Sequence, residues 1–478
     1  MKSDVKLSWA FAAINCKPRW VAFIKAIPVA IGVSALMGSI VFWTESARAI
    51  PIFARQTQQN CVACHVGGQY PELTPYGRYF KLTGFTQGDG NAKTNEGIGL
   101  PIAMSIQAGQ NTMANNKDST GTDIDNRDNQ IAPDQVSLYT GGRIADNVGL
   151  FAQLTCAFDR GNQSDCTLGM DNVDLRYADH ISDKSKDLIW GVSLNNDPGV
   201  TDVFNAMPAW VYPYQASASG SGTGPAVQTA LESLYGGGTA VGLNTYAYLN
   251  RNYYAELGAY MAAGGATSLL AYTNNPASSN GTVPLIGTNP YYRLAYTTEW
   301  GPSNLMLGVF GMNSNVSPGL YDGSGTSTSY ADRGIDAQYQ YISSPHVVST
   351  QFRYISEDIT DTTGNYSGPA NLKSTYAKAM YVYRAKYGAA LSYQRVEGSP
   401  DAYYTGGLGG GANFTSVSST PNTTVWTPAL FWQPLQNVRI TIYKTFFTEY
   451  LGGTDNYDGL GRNASDNNTT YIYAWIAF

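Results

Sequence analysis

Cys61-Val62-Ala63-Cys64-His65 is the segment whose residue types and spacing most directly specify chemistry. Two thiols three positions apart, followed at once by an imidazole, suit one edge of a porphyrin. Cys61 and Cys64 would form thioethers to the two vinyl groups, and His65 would be the proximal iron ligand. A dithiol redox pair would call for a βαβ setting, and a zinc centre would call for a second pair of ligands. The surrounding sequence offers neither, so one c-type haem is the expected cofactor.

Haem attachment of this kind requires export, and the N-terminus supplies an address. Lys2, Lys6, Lys17, Arg19 and Lys25 precede the apolar stretch 26–43, which is followed by Ala47-Arg48-Ala49, a small-x-small cleavage pattern. Residues 1–49 therefore read as a signal peptide, with a retained membrane anchor as the second reading. Cys16 leaves with the signal. Cys156 and Cys166 flank a short stretch and, in an exported chain, are expected to form a disulfide that staples it.

The other haem contacts are less determined. Residues 66–103 contain neither Met nor His, so a sixth iron ligand would come from farther along. Met104, Met113, His180 and His346 are the candidates, beside an open or water-bound position; Met104 is expected on the lipid-facing side of its strand. Arg78 and Lys81 could pair with haem propionates or simply be solvated or lumen-facing charges. Pro71, Pro75 and Gly77 are expected to shape a turn that lays Tyr79 and Phe80 against the porphyrin.

A haem segment of residues 50–95 is too short to bury a porphyrin in a core of its own. It needs support, and the rest of the chain shows what kind. Charged residues make up 13% of the 478, about half the usual share, while Gly (51) and Tyr (35) are abundant. Aromatics at 13% and regularly spaced apolar residues disfavour disorder. Beyond residue 50 no apolar run reaches the roughly 20 residues of a spanning helix. A net charge of -6 without a basic block argues against nucleic acid as a partner.

From about Leu100 onward, strand-length segments alternate apolar and polar residues. After 100–107 come pairs at 136–144 with 148–154, 170–181 with 186–196, 239–249 with 253–263, 290–300 with 304–313, 332–342 with 347–357, 374–384 with 387–397 and 423–433 with 437–448. The final segment is 470–478, where Ile472, Ala474, Ile476 and Phe478 share one face. This is about sixteen strands, an even number in the range of outer-membrane barrels. Tight links such as 145–147, 250–252 and 301–303 alternate with long polar stretches such as 111–135, 197–238 and 398–422. That asymmetry predicts an all-β fold, a transmembrane antiparallel barrel over residues 96–478 with both termini periplasmic. A soluble β-sandwich or solenoid would also alternate. Against it, Trp210, Trp300, Trp426, Trp432 and Trp475 fall near strand ends, as in an interfacial girdle, and the chain ends on Phe478. Sixteen strands leave a lumen wide enough for a small plug. Insertion would give the haem segment walls and carry the iron outward across an apolar band about 25 Å tall.

The haem motif, followed by Tyr70-Pro71-Glu72-Leu73-Thr74-Pro75-Tyr76-Gly77-Arg78-Tyr79-Phe80-Lys81-Leu82-Thr83-Gly84-Phe85 and then a porin-like barrel, resembles the fused cytochrome-porin iron oxidases of the bacterial outer membrane. The haem segment carries the specific match; the barrel matches in pattern. The resemblance implies one-electron oxidation of extracellular Fe(II) by an outer-membrane Fe(II) oxidase. Electrons would pass to a periplasmic cytochrome c or blue-copper protein. The alternatives are a conduit of the same build for another donor or acceptor, and a diffusion porin whose haem is structural or a sensor. Asp118, Asp123, Asp125, Asp128 and Asp134 could attract Fe(II) or belong to an ordinary solvated loop. The long loop 197–238 lies where porins fold a loop inward. Loops poor in carboxylates lose few charges in acid, which fits an acidic habitat.

Overall fold

The computed structural model describes residues 52–68, 71–88, 93–94, 97–98, 102–118, 120–125, 127–158, 168–205, 212–214, 224–235, 239–270, 285–316, 327–361, 370–400 and 416–478. The signal segment 1–49, Trp210 and Cys166 lie outside them. The strands are β1 (Ile102–Met113), β2 (Ile131–Ala145), β3 (Val148–Ala157), β4 (Gly169–Ser182), β5 (Asp187–Asn195), β6 (Ala240–Leu249), β7 (Tyr253–Ala262), β8 (Asn289–Trp300), β9 (Ser303–Val316), β10 (Thr328–Ser343), β11 (His346–Asp361), β12 (Ala370–Tyr383), β13 (Tyr387–Gly398), β14 (Thr423–Leu435), β15 (Val438–Lys444, resuming as Phe446–Glu449) and β16 (Thr469–Ala477). Each pairs antiparallel with the next, and β16 returns to β1 with Ile476 opposite Ile106. The last residue completes the seam: Met104 N–H donates to the Phe478 carbonyl at 2.7 Å, and Phe478 N–H to the Met104 carbonyl at 2.8 Å. The sixteen-strand barrel is therefore closed and has no free edge.

Period-two patterning decides which solvent each face meets. On β8, Tyr291 and Arg293 are buried, whereas Leu294 and Tyr296 are exposed. The same holds around the ring. Leu243, Leu257, Leu307, Ile335, Leu391, Leu430 and Ile472 point outward, while Glu256, Asp336, Gln338 and Lys378 are buried inside. Apolar outside and polar inside is the inverse of a soluble sandwich and is what hydrocarbon demands of a spanning barrel. Exposed Tyr253, Trp300, Tyr387 and Trp432 lie beside the short turns, with Trp426 toward the other end. Trp475 corrects the girdle expectation. It shares the parity of buried Tyr471 and Tyr473, so it faces the lumen and is only 4% exposed.

Connections at one end are short, such as 146–147, 250–252, 301–302 and 436–437. At the other end they are long, including 196–239 and 399–422. Strand β1 begins and β16 ends at the short-turn end.

The lumen is filled from two directions, and the N-terminal segment forms one compact unit with the barrel. That segment contributes α1 (Ile52–Thr57), α2 (Cys61–Cys64) and α3 (Pro75–Leu82). Inward-facing side chains of the wall take up its backbone groups. Tyr246 Oη donates to the Leu82 carbonyl at 2.6 Å, Gln340 Nε2 to Leu73 at 3.1 Å and Gln433 Nε2 to Gly67 at 3.1 Å. Buried peptide groups need such partners, and here the barrel supplies them. Glu72 is the ionic anchor: fully buried, it pairs with Lys378 and accepts from Ser349 Oγ at 2.6 Å and from Tyr214 Oη.

The connection after β5 also turns inward, as expected. Its helices α4 (Pro198–Thr201) and α5 (Ala230–Ser233) meet the wall. Arg176 donates to the Thr201 carbonyl at 2.7 Å, and the N–H groups of Ala230 and Leu231 donate to Glu357 at 2.6 Å and Asp332 at 2.8 Å.

Candidate functional site

A short helix, α2, carries Cys61 and Cys64 on successive turns, and the next residue, His65, leaves it in an extended conformation. Its free end is clamped by Thr74. The Thr74 N–H donates to the Cys64 carbonyl at 2.9 Å, and its Oγ1 donates to the Ala63 carbonyl at 2.5 Å. The same Oγ1 accepts from Gly77 N–H at 3.1 Å, so one threonine caps α3 and holds α2. Pro75 occupies the first turn of α3, where its missing N–H costs nothing. Gly77 is required by contact, because a Cβ there would lie 2.2 Å from the Cys64 carbonyl oxygen. We predict that Gly77→Ala costs about 1–3 kcal/mol by overpacking and, if a haem is bound at Cys61 and Cys64, broadens its absorption bands. Thermal melting and visible spectra would check this.

Cys61, Cys64 and His65 line a cavity of about 240 Å³, open at its mouth, between the N-terminal segment and the barrel wall. Phe53, Phe80 and Phe85 form an aromatic cluster along one side, with ring centroids 5.0 Å (Phe53 to Phe80) and 5.3 Å (Phe53 to Phe85) apart. The barrel contributes Ala103, Tyr139, Phe151 and Trp475, and the inward connection contributes Val200 and Asn205. These barrel residues come from the starts of β1 and β3, the second half of β2 and the end of β16. The cavity therefore lies toward the short-turn end of the barrel, inside its wall.

Burial sets the protonation of the three motif residues. It lowers the His65 pKa to about 4, which leaves the imidazole neutral at neutral pH, the form that ligates a metal. It raises both thiols, Cys64 to about 11 with a further push from Cys61. Neither is in a disulfide. Paired sulfurs on one helix, a neutral imidazole and a mostly apolar, aromatic-walled cavity beside them fit a c-type haem. If one were bound, Cys61 and Cys64 would hold it covalently and His65 would ligate its iron.

The remaining predicted residues divide. Phe80 lines the cavity, and so does Pro71, which was expected only to shape a turn. Tyr79 does not; its hydroxyl lies 3.4 Å from His180 Nδ1 on the wall. Arg78 does not reach the cavity either. Its guanidinium donates to Asn304 Oδ1 (2.8 Å), Gln338 Oε1 (3.0 Å) and Gln340 Oε1 (2.7 Å), neutral acceptors that replace the expected carboxylate. Burial lowers its pKa to about 10. Lys81 borders the cavity but donates to the Val200 and Asp202 carbonyls. Its pKa falls to about 8 through burial and then the nearby Arg176.

Among the proposed sixth ligands, Met104 borders the cavity yet shares the outward parity of Ile102, while Ala103 and Ser105 are buried on the inner face. Met113 is nine residues along β1, about 30 Å away. His180 Nε2 is 2.6 Å from Asp187, and His346 Nδ1 is 2.8 Å from Tyr381 Oη; neither lines the cavity. The aspartates near β1 and β2 are engaged separately. Asp118 accepts from Thr120 and Thr122, Asp123 pairs with Lys117 at 2.6 Å, Asp125 and Asp128 accept from Asn111, and Asp134 accepts from Tyr471 Oη. Among the described residues no group of three or more His, Cys, Asp or Glu could hold a metal ion. Cys156 is disulfide-bonded.

The sequence reading missed Phe151, Tyr139 and Trp475 as parts of the cavity. A signal existed. Phe151 sits on the face of β3 shared with Gly149 and Gln153, a large aromatic side chain where a lumen-facing row is otherwise small or polar.

No family model matches the sequence, and no curated protein matches it. Solved structures do match in fold. OprB of Pseudomonas putida is 12% identical with a TM-score of 0.48, over 79% of this chain and 93% of that one. OmpF of Salmonella typhi, in complex with daunomycin, is 13% identical with a TM-score of 0.43, over 79% and 97%. An anion-selective porin from Comamonas acidovorans is 13% identical with a TM-score of 0.42, over 79% and 98%.

Proposed function

We propose that this outer-membrane barrel is an Fe(II) oxidase that passes single electrons from extracellular ferrous iron to a periplasmic carrier. The observation that carries the reading is the placement of Cys61, Cys64 and neutral His65 in the wall of an apolar cavity inside the barrel. A haem held there would supply a one-electron Fe(III)/Fe(II) couple shielded from lipid. The balance is simple: external Fe(II) becomes Fe(III), the carrier gains one electron, and no bond is made or broken. The carrier would be a small cytochrome c or a blue-copper protein.

The chain's own residues hold the site and restrict the pore. The Glu72–Lys378 pair and the Arg78 contacts fix the N-terminal segment against the wall. The connection after β5 occupies further lumen. Such a filled lumen supports a conduit over a diffusion porin. In this reading the short turns and both termini face the periplasm, which puts the cavity near the carrier. Ferrous iron would approach through the polar lumen from the opposite end.

Anaerobic stopped-flow mixing of the oxidised protein with ferrous salt tests the reading. Haem bands that shift to the reduced form at a rate saturating with Fe(II) support it. Haem that dithionite reduces but ferrous iron does not would assign the same build to another donor.

A further inference from the structure

Residues 229–235 of the connection after β5 are seated on two buried acids of the wall. Asp332 on β10 and Glu357 on β11 are direct cross-strand partners, and both are buried on the inner face. Glu357 Oε2 accepts from Ala230 N–H at 2.6 Å, and Asp332 Oδ2 accepts from Leu231 N–H at 2.8 Å. These bonds hold Leu231 and Tyr235 in an apolar cluster with Tyr260, Phe310, Met312 and Ile355. Asp332 comes early in β10 and Glu357 late in β11, so the contact lies toward the long-connection end of the lumen.

The charges around the two acids do not neutralise them. Arg353, on the same inner face of β11, pairs with Glu232 of α5 at 2.5 Å and lies 5.1 Å from the Tyr376 ring centroid. Arg293 pairs with Asp336 at 2.6 Å. Arg333 donates to the Asp332 backbone carbonyl at 2.7 Å and to Asn313 Oδ1 at 3.0 Å, on the outer face. Among the described residues the other titratable groups on the facing surfaces are phenols: Tyr235, 2.6 Å from Ser314 Oγ, with Tyr330 and Tyr376. Three carboxyl groups thus meet one arginine. With both wall acids ionised, Asp332 Oδ1 is buried without a donor. The Asp332 and Glu357 side chains are within hydrogen-bonding reach of each other. One proton on the pair supplies the missing donor and removes the repulsion between like charges that burial would otherwise intensify.

We propose that one proton shared by Asp332 and Glu357 latches residues 229–235 into the lumen, and that its loss as pH rises releases them. By linkage, the docked state holds a proton that the released state, with both carboxyl groups in water, gives up. Docking is therefore strong in acid and, once the pair ionises, weakens by about tenfold for each pH unit. The latch acts at the long-connection end and is independent of haem at Cys61 and Cys64.

The test uses full-length Ser233→Cys protein in detergent, with a nitroxide on the new thiol; Ser233 is an exposed residue of α5. Wild-type protein treated with the same reagent gives the background spectrum, and heat-dependent gel mobility confirms that each barrel is folded. The label is expected to be immobilised at pH 5 and mobile at pH 9, with the ratio of mobile to immobile label rising by about tenfold or more. Glu357→Gln in the same protein keeps an oxygen for Ala230 N–H and an amide donor for Asp332 at any pH, so its label should stay immobilised at pH 9. Asp332→Asn should do the same with the roles exchanged. A label equally mobile at the two pH values, or one released at pH 9 in either folded amide variant as in the parent, overturns the latch.

Discussion

On the proposed reading, replacing both thiols, in Cys61→Ala with Cys64→Ala, should yield a barrel that folds but carries no covalent haem, with Fe(II) oxidation reduced to the rate of haem-free protein. The barrel should survive because its sixteen strands close on themselves through a continuous ladder that the motif does not enter. Nothing else among the described residues can replace the two thioethers, since the third described cysteine, Cys156, is already disulfide-bonded. Haem staining of a denaturing gel and the pyridine haemochrome read the loss. A double variant that retains covalent haem would contradict the assignment of Cys61 and Cys64. His65→Ala separates ligation from attachment: covalent haem persists, while the ferric spectrum shifts with loss of the proximal imidazole.

The second large effect is expected at Glu72. Its carboxylate and the Lys378 ammonium are both fully buried, and truncating one partner leaves the other as an uncompensated charge. Breaking such a pair costs about 3–5 kcal/mol, or between two and four powers of ten in the docking equilibrium. Glu72→Leu should therefore release the N-terminal segment from the lumen and raise single-channel conductance in planar bilayers above the low value expected of wild type. Glu72→Leu with Lys378→Met should restore docking and low conductance, because removing both charges also removes the penalty of burying them. Equal conductance in all three proteins would mean that the segment does not block the pore.

Much of the architecture is legible in the sequence because a barrel strand is a local object. Alternation in 290–300 gives β8 its two faces directly, and tight links such as 250–252 fix the hairpins. Cys61-x-x-Cys64-His65 is legible for the same reason, as its chemistry depends on spacing within five residues. The contacts that seat it are not local. Glu72 meets Lys378 across 306 positions, and Arg78 meets Gln340 across 262, so no window of sequence pairs them. The charge of Arg78 is visible in the sequence and left open a propionate partner or a solvated or lumen-facing charge; its three amide acceptors on β9 and β10 are visible only once the register is known. Trp475 is the instructive middle case. The sequence placed Ile472, Ala474, Ile476 and Phe478 on one face, so the same alternation already assigned Trp475 to the opposite, inner face. The placement of Asn205 beside the cavity was beyond reach, since it depends on the path of a long connection.

The low charge of the chain takes on a different meaning from the structure. Some of the charges lie in the lumen, where Arg176 with Asp174, Arg293 with Asp336 and Arg353 with Glu232 are paired and nearly inaccessible. They position the wall against the inserted segments; the outer surface toward lipid is left apolar.

Vectorial electron transfer tests the central claim most directly. The protein would be reconstituted into liposomes with oxidised cytochrome c trapped inside and ferrous salt added only outside, under argon. Reduction of the trapped cytochrome, absent in empty liposomes and in those holding the double cysteine variant, is the result expected. Trapped cytochrome that stays oxidised, although the wild-type haem is present and reducible by dithionite, would contradict a conduit for iron-derived electrons.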